Sequence, residues 1–99
     1  MPEINFKIEW PDGSQQICYS PSLVVKKYFE PGEDYNLEEF VQKCRTSLTI
    51  ASDRVKAAYG FPCSKAMGQI QQIEFLAGQY THLSDPKVRF LGFESILTD

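Results

Sequence analysis

Apolar and polar residues alternate at the start of the chain, where Ile4, Phe6, Ile8 and Trp10 are separated by polar residues. A period of two is typical of a strand that buries one face against a core. The pattern therefore predicts a first strand over residues 4–10.

The segment after this strand predicts a β-hairpin. Pro11-Asp12-Gly13-Ser14 is rich in turn-forming residues, and Asp12-Gly13 can adopt the positive φ of a tight turn. A tip at Asp12-Gly13 sets Ile8 opposite Ile17. A three-residue loop with a bulge at Gly13 suits Pro11 better, but it sets Ile8 opposite Gln16. We predict the first register because it keeps the large apolar groups on one face, which a slip of one residue would invert.

A short helix is predicted over residues 23–29. Ser20-Pro21-Ser22 resembles a helix start, because serine accepts a bond from a free backbone amide and proline is tolerated in the first turn. Either serine can be the cap. A third strand is the alternative, because the stretch is short and rich in residues that favour strands.

A long helix and a further helix are predicted next. Asn36 and Glu39 form a capping-box pattern at the start of the first, and Gly60 ends it, with Phe61 packed back on its last turn. Ser64 is the predicted cap of the second helix. Each predicted helix has apolar residues at steps of three and four, which form an apolar stripe along one face. In the long helix the stripe is Leu37, Val41, Cys44, Leu48, Ala51, Val55 and Ala58. In the second helix it is Ala66, Ile70, Ile73, Ala77 and Tyr80.

Residues 88–93 predict a closing strand that lies inside the sheet, since Val88 and Phe90 fall on one face and Leu91 and Phe93 on the other. The order of elements predicts an α+β fold, ββαααβ. The N-terminal hairpin and the C-terminal strand form a small antiparallel sheet, which the short helix and the antiparallel helical pair cover on one face. The length of 99 residues predicts one domain over 1–99.

Charge and hydropathy argue against two classes of partner. A net charge of −3 leaves no basic surface for phosphates, so we expect no nucleic-acid partner. No run approaches the roughly 18–20 apolar residues of a membrane span, and the N-terminus lacks a signal-peptide pattern. We therefore expect a cytoplasmic protein that does not enter a membrane.

Cysteine spacing and the absence of catalytic motifs favour a protein without a metal or cofactor. Cys18, Cys44 and Cys63 are odd in number and have no Cys-x-x-Cys spacing, which argues against a disulfide framework and a zinc site. The sequence has no glycine-rich phosphate loop, no His-Glu-x-x-His and no Gly-x-Ser-x-Gly. An independent enzyme is therefore the minority interpretation.

Cys63 is the catalytic candidate, because it lies just before a predicted helix, where free amides and the helix dipole favour a thiolate. The alternative is a small apolar plug between Phe61-Pro62 and the helix. Cys44 belongs to the apolar stripe of the long helix and is predicted core. His82 lies roughly 25 Å from Cys63 along the second helix, so no Cys-His dyad is expected.

Ser64, Lys65 and Arg54 are the candidate binding residues. Free amides at the helix start, with Lys65 beside them, can hold a small anion or metabolite. Every helix has such an end, so this pattern alone is not specific. Arg54 is predicted to contact the sheet edge or a partner.

Four groups of residues together resemble a family of small bacterial nitrogen-starvation-response proteins. They are Trp10-Pro11-Asp12-Gly13, Cys18-Tyr19-Ser20-Pro21-Ser22, Arg45 with Ala51, Arg54 and Val55, and Tyr59-Gly60-Phe61-x-Cys63-Ser64. The resemblance implies a gene cluster with a nitrilase, a radical-SAM protein, an acetyltransferase-like protein and a flavin-dependent oxidoreductase. It implies a role in nitrile or cyanide nitrogen use, and it implies no activity for particular residues.

Two hypotheses of function follow. The first is an accessory protein that binds a partner enzyme or a small metabolite, and the second is a small enzyme or thiol carrier using Cys63. A homodimer or a complex with a protein from the same gene cluster is expected, because one core face leaves Leu91 and Phe93 uncovered. Trp10, Ile96 and Leu97 add further apolar groups in need of cover.

Overall fold

The computed structural model describes residues 3–95, so the apolar tail residues Ile96 and Leu97 lie outside the described residues. It has an α+β fold, as predicted. The elements are β1 (Ile4–Glu9), β2 (Gln15–Ser20), a 3-10 helix (Leu23–Lys27), β3 (Asp34–Asn36), α1 (Leu37–Tyr59), α2 (Ser64–Ala77) and β4 (Lys87–Ser95). The strands form one antiparallel sheet in the order β2-β1-β4-β3.

The closing strand β4 lies inside the sheet, as predicted, between β1 and a strand that the sequence pattern missed. This fourth strand, β3, pairs Tyr35 with Val88 and continues directly into α1. Its three residues are too few to show an alternating pattern. The Arg89 guanidinium donates to the Asp34 carboxylate across the pair at 2.9 Å and holds the pKa of that carboxyl below its usual range.

The predicted hairpin register is wrong by one residue, and the three-residue alternative is correct. Ile8 lies opposite Gln16, and Ile17 is 54% exposed. The Gly13 N–H donates to the Trp10 carbonyl, and Gly13 has φ 88°, as in a type I turn followed by a bulge. Proline determines the choice, because a two-residue tip would place Pro11 where the ladder needs an N–H donor.

A bulge in β4 changes which apolar residues reach the core. The register between β1 and β4 shifts so that Ile8 lies opposite Phe90 and Lys7 opposite Gly92, which leaves Leu91 as the extra residue. Phe93 thereby lies on the same face as Phe90, with ring centroids 4.9 Å apart. The prediction that Phe93 and Leu91 share the far face is therefore wrong, and the protein covers one more aromatic ring than expected.

The helices begin and end close to the predicted residues. Ser22 caps the short helix, which is a 3-10 helix, by accepting from the Val24 N–H at 3.2 Å. Asn36 caps α1 by accepting from the Glu38 N–H at 3.0 Å, and Gly60 ends it with φ 91°. Helix α2 begins after Cys63, so the prediction of Ser64 as its cap is wrong. Within residues 3–95, no helix is both long and apolar enough to cross a membrane.

The core lies between the sheet and the helices and is rich in aromatic rings. Phe90 is stacked on Phe29 at 4.8 Å and on Phe6 at 5.8 Å between ring centroids. Trp10 is buried against Tyr80 and Phe40, and its Nε1–H donates to Gln16. The expectation that Trp10 needs a partner to cover it is therefore wrong.

Two thiols, Cys18 and Cys44, are buried in this core and give stability a pH dependence. Burial raises the pKa of the Cys18 thiol to about 12, and burial with the neighbouring Cys18 raises the pKa of Cys44 well above 9.0. The native chain thus keeps both protons above pH 9, where the unfolded chain loses them. We expect the free energy of unfolding to fall from about pH 9 to pH 12, by up to about 1.4 kcal/mol per pH unit for each thiol.

Urea denaturation at several pH values measures this fall. A Cys18→Ala variant should lose stability less steeply with pH than the wild type, because one of the two thiols no longer contributes. Parallel pH profiles for the two proteins would contradict the assignment.

Candidate functional site

The candidate site is a groove of about 220 Å³ beside the edge strand β2, at the loop between α1 and α2. The end of β2 and the last turns of α1 supply its walls, and Cys63 closes it just before α2. Its lining residues are Glu3, Tyr19, Pro21, Val55, Tyr59 and Cys63. The catalytic candidate therefore lies in a groove of the surface.

The position of Cys63 is fixed by its backbone. Its N–H donates to the Ser52 hydroxyl at 3.1 Å, and Ser52 is buried on α1. The thiol is half-buried, in contrast to the buried Cys18 and Cys44. Of the three thiols, Cys63 is thus the one that a reagent or substrate can approach in the folded protein.

Tyr19 forms the polar wall of the groove. Its hydroxyl donates to the Glu3 carboxylate at 2.5 Å, and its ring packs against the Lys65 ammonium, which lies 4.0 Å from the ring centroid. Burial first, and then the bond to Glu3, raise the pKa of the Tyr19 hydroxyl far above its usual range. Tyr19 therefore keeps its proton at neutral pH and is not a base for Cys63.

Two of the three predicted binding residues lie beside this groove without lining it. Lys65 packs on Tyr19, and the Arg54 guanidinium donates to the Ser22 hydroxyl at 3.2 Å, next to Pro21. Arg54 thus contacts the cap of the 3-10 helix, two residues beyond the end of β2. Ser64 is the exposed first residue of α2.

His82 and Cys63 are placed at opposite ends of α2. The fourteen residues of this helix span about 21 Å, so the histidine does not reach the groove. Within residues 3–95, no cluster of three or more histidine, cysteine or acidic side chains is placed to hold a metal ion.

A comparison with family models identifies the chain's relatives. The model described as nitrogen starvation-induced protein NitG matches residues 5–93. The chain belongs to this family. The prediction of a nitrogen-starvation-response family is thereby confirmed, and the match includes most of the groove and the whole loop between the helices. No curated protein and no solved structure matches the chain.

This NitG family member has a second surface feature at the same loop, which the sequence analysis missed. Tyr59 and Phe61 flank Gly60 and are 60% and 67% exposed. We name these two residues the aromatic tip. The prediction that Phe61 packs back on α1 is wrong, because the left-handed Gly60 directs the chain away from the helix end. The sequence does carry a signal of this feature, since an aromatic residue stands on each side of Gly60, the glycine that ends α1.

A larger groove of about 440 Å³ runs between α1 and the end of α2. Leu37, Val41 and Ala77 form its apolar side. The ion pair between Arg45 and Glu74 borders it, and both side chains are partly exposed to solvent. Exposed ion pairs contribute little stability, so this pair adds little to the packing of the two helices.

Proposed function

We propose that this protein is an accessory protein of the nitrogen-starvation response, in the use of nitrogen from nitriles or cyanide, and that it acts by binding a partner protein. Membership of the NitG family supports the biological setting. The aromatic tip supports the mode of action, because exposed aromatic side chains are costly in water and supply much of the binding energy of protein interfaces.

The aromatic tip is the observation on which this proposal rests. Tyr59 and Phe61 are held at the junction of two packed helices, where the Lys56 carbonyl accepts the N–H of Gly60. Binding at such a position loses little conformational entropy, because the backbone that carries both rings is already ordered. Tyr59 also lines the groove beside Cys63, so a partner on the tip would cover the mouth of that groove.

A small enzyme or thiol carrier using Cys63 is the second candidate function. The observation that favours it is the half-buried Cys63 thiol in a groove beside Tyr19 and Lys65. Against it, no histidine occurs among the described residues that line the groove, and Tyr19 keeps its proton. The Glu3 carboxylate also lines the groove, but it already accepts the Tyr19 hydroxyl, so thiol chemistry would draw on a base from the substrate or from a partner.

Competitive growth under nitrogen starvation distinguishes the two functions. A strain lacking the gene is complemented with the wild type, with Tyr59→Ser/Phe61→Ser, or with Cys63→Ser. We expect the tip variant to grow like the uncomplemented strain and Cys63→Ser to grow like the wild type. Loss of growth with Cys63→Ser alone would favour the thiol function and overturn the binding proposal.

The tip variant needs a control for folding. Both side chains are mostly exposed, so the purified variant should unfold within about 0.5 kcal/mol of the wild type. Leu83→Ser is a matched control, since it also removes an exposed apolar side chain, outside the tip. It should support growth like the wild type.

A further inference from the structure

The groove between α1 and the end of α2 has the dimensions of a small-molecule site. Its volume is about 440 Å³, against about 220 Å³ for the groove beside Cys63. Sites for small ligands are typically clefts of roughly 300–1,000 Å³ with an apolar lining and a few polar groups that orient the ligand. We name this cleft the interhelical groove.

The interhelical groove has an aliphatic side and a charged end. Leu37, Val41 and Arg45 lie at steps of four along one line of α1, so the groove extends about 12 Å along that helix. Glu74 of α2 lies opposite Arg45, because the two side chains form an ion pair between the helices. A molecule in the groove can therefore place a chain against Val41 and its head group at the ion pair.

The ion pair uses only part of its hydrogen-bonding capacity. Nε and Nη2 of Arg45 both donate to the same oxygen of Glu74, Oε2, the former at 2.7 Å. Within residues 3–95, no protein group bonds to Nη1 of Arg45 or to Oε1 of Glu74. A guanidinium has five N–H donors and a carboxylate about four acceptor positions, so both groups can bind a further molecule. The pair thus presents a donor next to an acceptor.

We infer that the interhelical groove binds a small primary carboxamide that carries a short aliphatic chain. The amide carbonyl accepts from Nη1 of Arg45, and the amide N–H donates to Oε1 of Glu74. A primary amide has a donor and an acceptor on one carbon, so a single head group satisfies both. The chain lies against Leu37, Val41 and Ala77, where its burial removes apolar surface from water.

Charge favours this uncharged head group. The ion pair is neutral as a whole, so a carboxylate head would lie beside Glu74 and an ammonium head beside Arg45, each in a like-charge contact. Glu38 also lines the groove and adds a second carboxylate that disfavours an anion. An amide avoids both repulsions, so the site should distinguish the amide from the corresponding acid and amine.

Titration of the isotope-labelled protein with hexanamide, followed by NMR, tests the inference. We expect saturable shifts of the backbone amides in residues 37–45 and 74–81, with a Kd in the millimolar range that is typical of so small a ligand. Butanamide should bind about five- to fifteenfold more weakly, because each buried methylene contributes up to about fourfold.

Hexanoate and hexylamine are the matched probes for the head group. Each has the same chain, and each should bind at least about fivefold more weakly than hexanamide. An affinity for hexanoate or hexylamine equal to that for hexanamide would overturn the inference. So would the absence of saturable shifts in the two segments with hexanamide.

Glu74→Gln should reverse the preference of the site. Without the carboxylate, the Arg45 guanidinium is an unpaired cation, so hexanoate should bind at least about tenfold tighter than to the wild type and tighter than hexanamide. Glutamine keeps the shape of the side chain, and an exposed ion pair contributes little stability, so the variant should fold normally. An unchanged preference for hexanamide would overturn the amide assignment.

Two further variants control this experiment. Glu33→Gln neutralises an exposed carboxylate outside the groove and should leave the preference for hexanamide unchanged. A reversal with Glu33→Gln as well would overturn the assignment, because it would show an effect of net charge alone. Tyr59→Ser/Phe61→Ser should bind hexanamide like the wild type, since neither residue lines the groove. Failure of this inference and failure of the proposed function therefore give different results.

Discussion

Replacing Phe90 by alanine is expected to lower the free energy of unfolding by about 3–5 kcal/mol. Phe90 is fully buried on the central strand β4 and contacts the rings of Phe6, Phe29 and Phe93, so its removal leaves a cavity that three rigid neighbours cannot fill. Domains of this size have about 5–15 kcal/mol of stability in total. Urea denaturation followed by circular dichroism measures the loss.

Leu91→Ala is the matched control for this prediction. Leu91 is the next residue along β4, but the bulge leaves it as the extra residue, and it is only half-buried. Its replacement should cost about 1 kcal/mol or less. Equal losses for the two variants would contradict the bulge and the assignment of Phe90 and Phe93 to one face.

Alkylation of the native protein should modify Cys63 on the order of a thousandfold faster than Cys44. Cys63 lines a groove, whereas Cys44 is buried on α1, and a raised pKa keeps its thiol protonated. Reaction at Cys44 therefore requires the core to open, while reaction at Cys63 does not. Mass spectrometry of peptides after timed exposure to iodoacetamide gives both rates.

Cys18 provides the internal comparison for the alkylation experiment. It is as buried as Cys44, so both should react at the same slow rate and become reactive together in urea. Equal protection of Cys63 and Cys44 in the native protein would contradict the placement of Cys63 in an accessible groove and remove the thiol-carrier candidate.

Elements that are marked by local signals could be predicted from the sequence. The alternation over residues 4–10 gave β1, and Asn36 with Gly60 gave both ends of α1, because caps act within one helical turn. The stripe of α2 was correct for Ala66, Ile70, Ile73 and Ala77, which are all buried. The α+β fold followed from the order of these elements.

Features that depend on distant contacts could not be predicted, and the local signal of Pro11 was given too little weight. The hairpin register depends on the missing N–H of Pro11, and the bulge at Leu91 appears only when β4 is paired with β1. Strand β3 exists because β4 offers an edge, and its three residues show no periodicity. A local pattern cannot show the bulge or β3, since the pairing partner determines them.

The candidate site was only partly visible in the sequence. Cys63, Lys65 and Arg54 were identified, but Tyr19, whose ring lies between Lys65 and the groove, was not. The aromatic tip was missed because exposure depends on the direction of the chain after Gly60.

Affinity capture from nitrogen-starved cells tests the central claim most directly. Tagged wild type, Tyr59→Ser/Phe61→Ser, Cys63→Ser and Leu83→Ser are compared by quantitative mass spectrometry of the captured proteins. A binding role for the aromatic tip predicts a partner that the wild type, Cys63→Ser and Leu83→Ser capture equally, and that the tip variant captures at least about tenfold less. A partner captured equally by the tip variant, or lost only with Cys63→Ser, would contradict it.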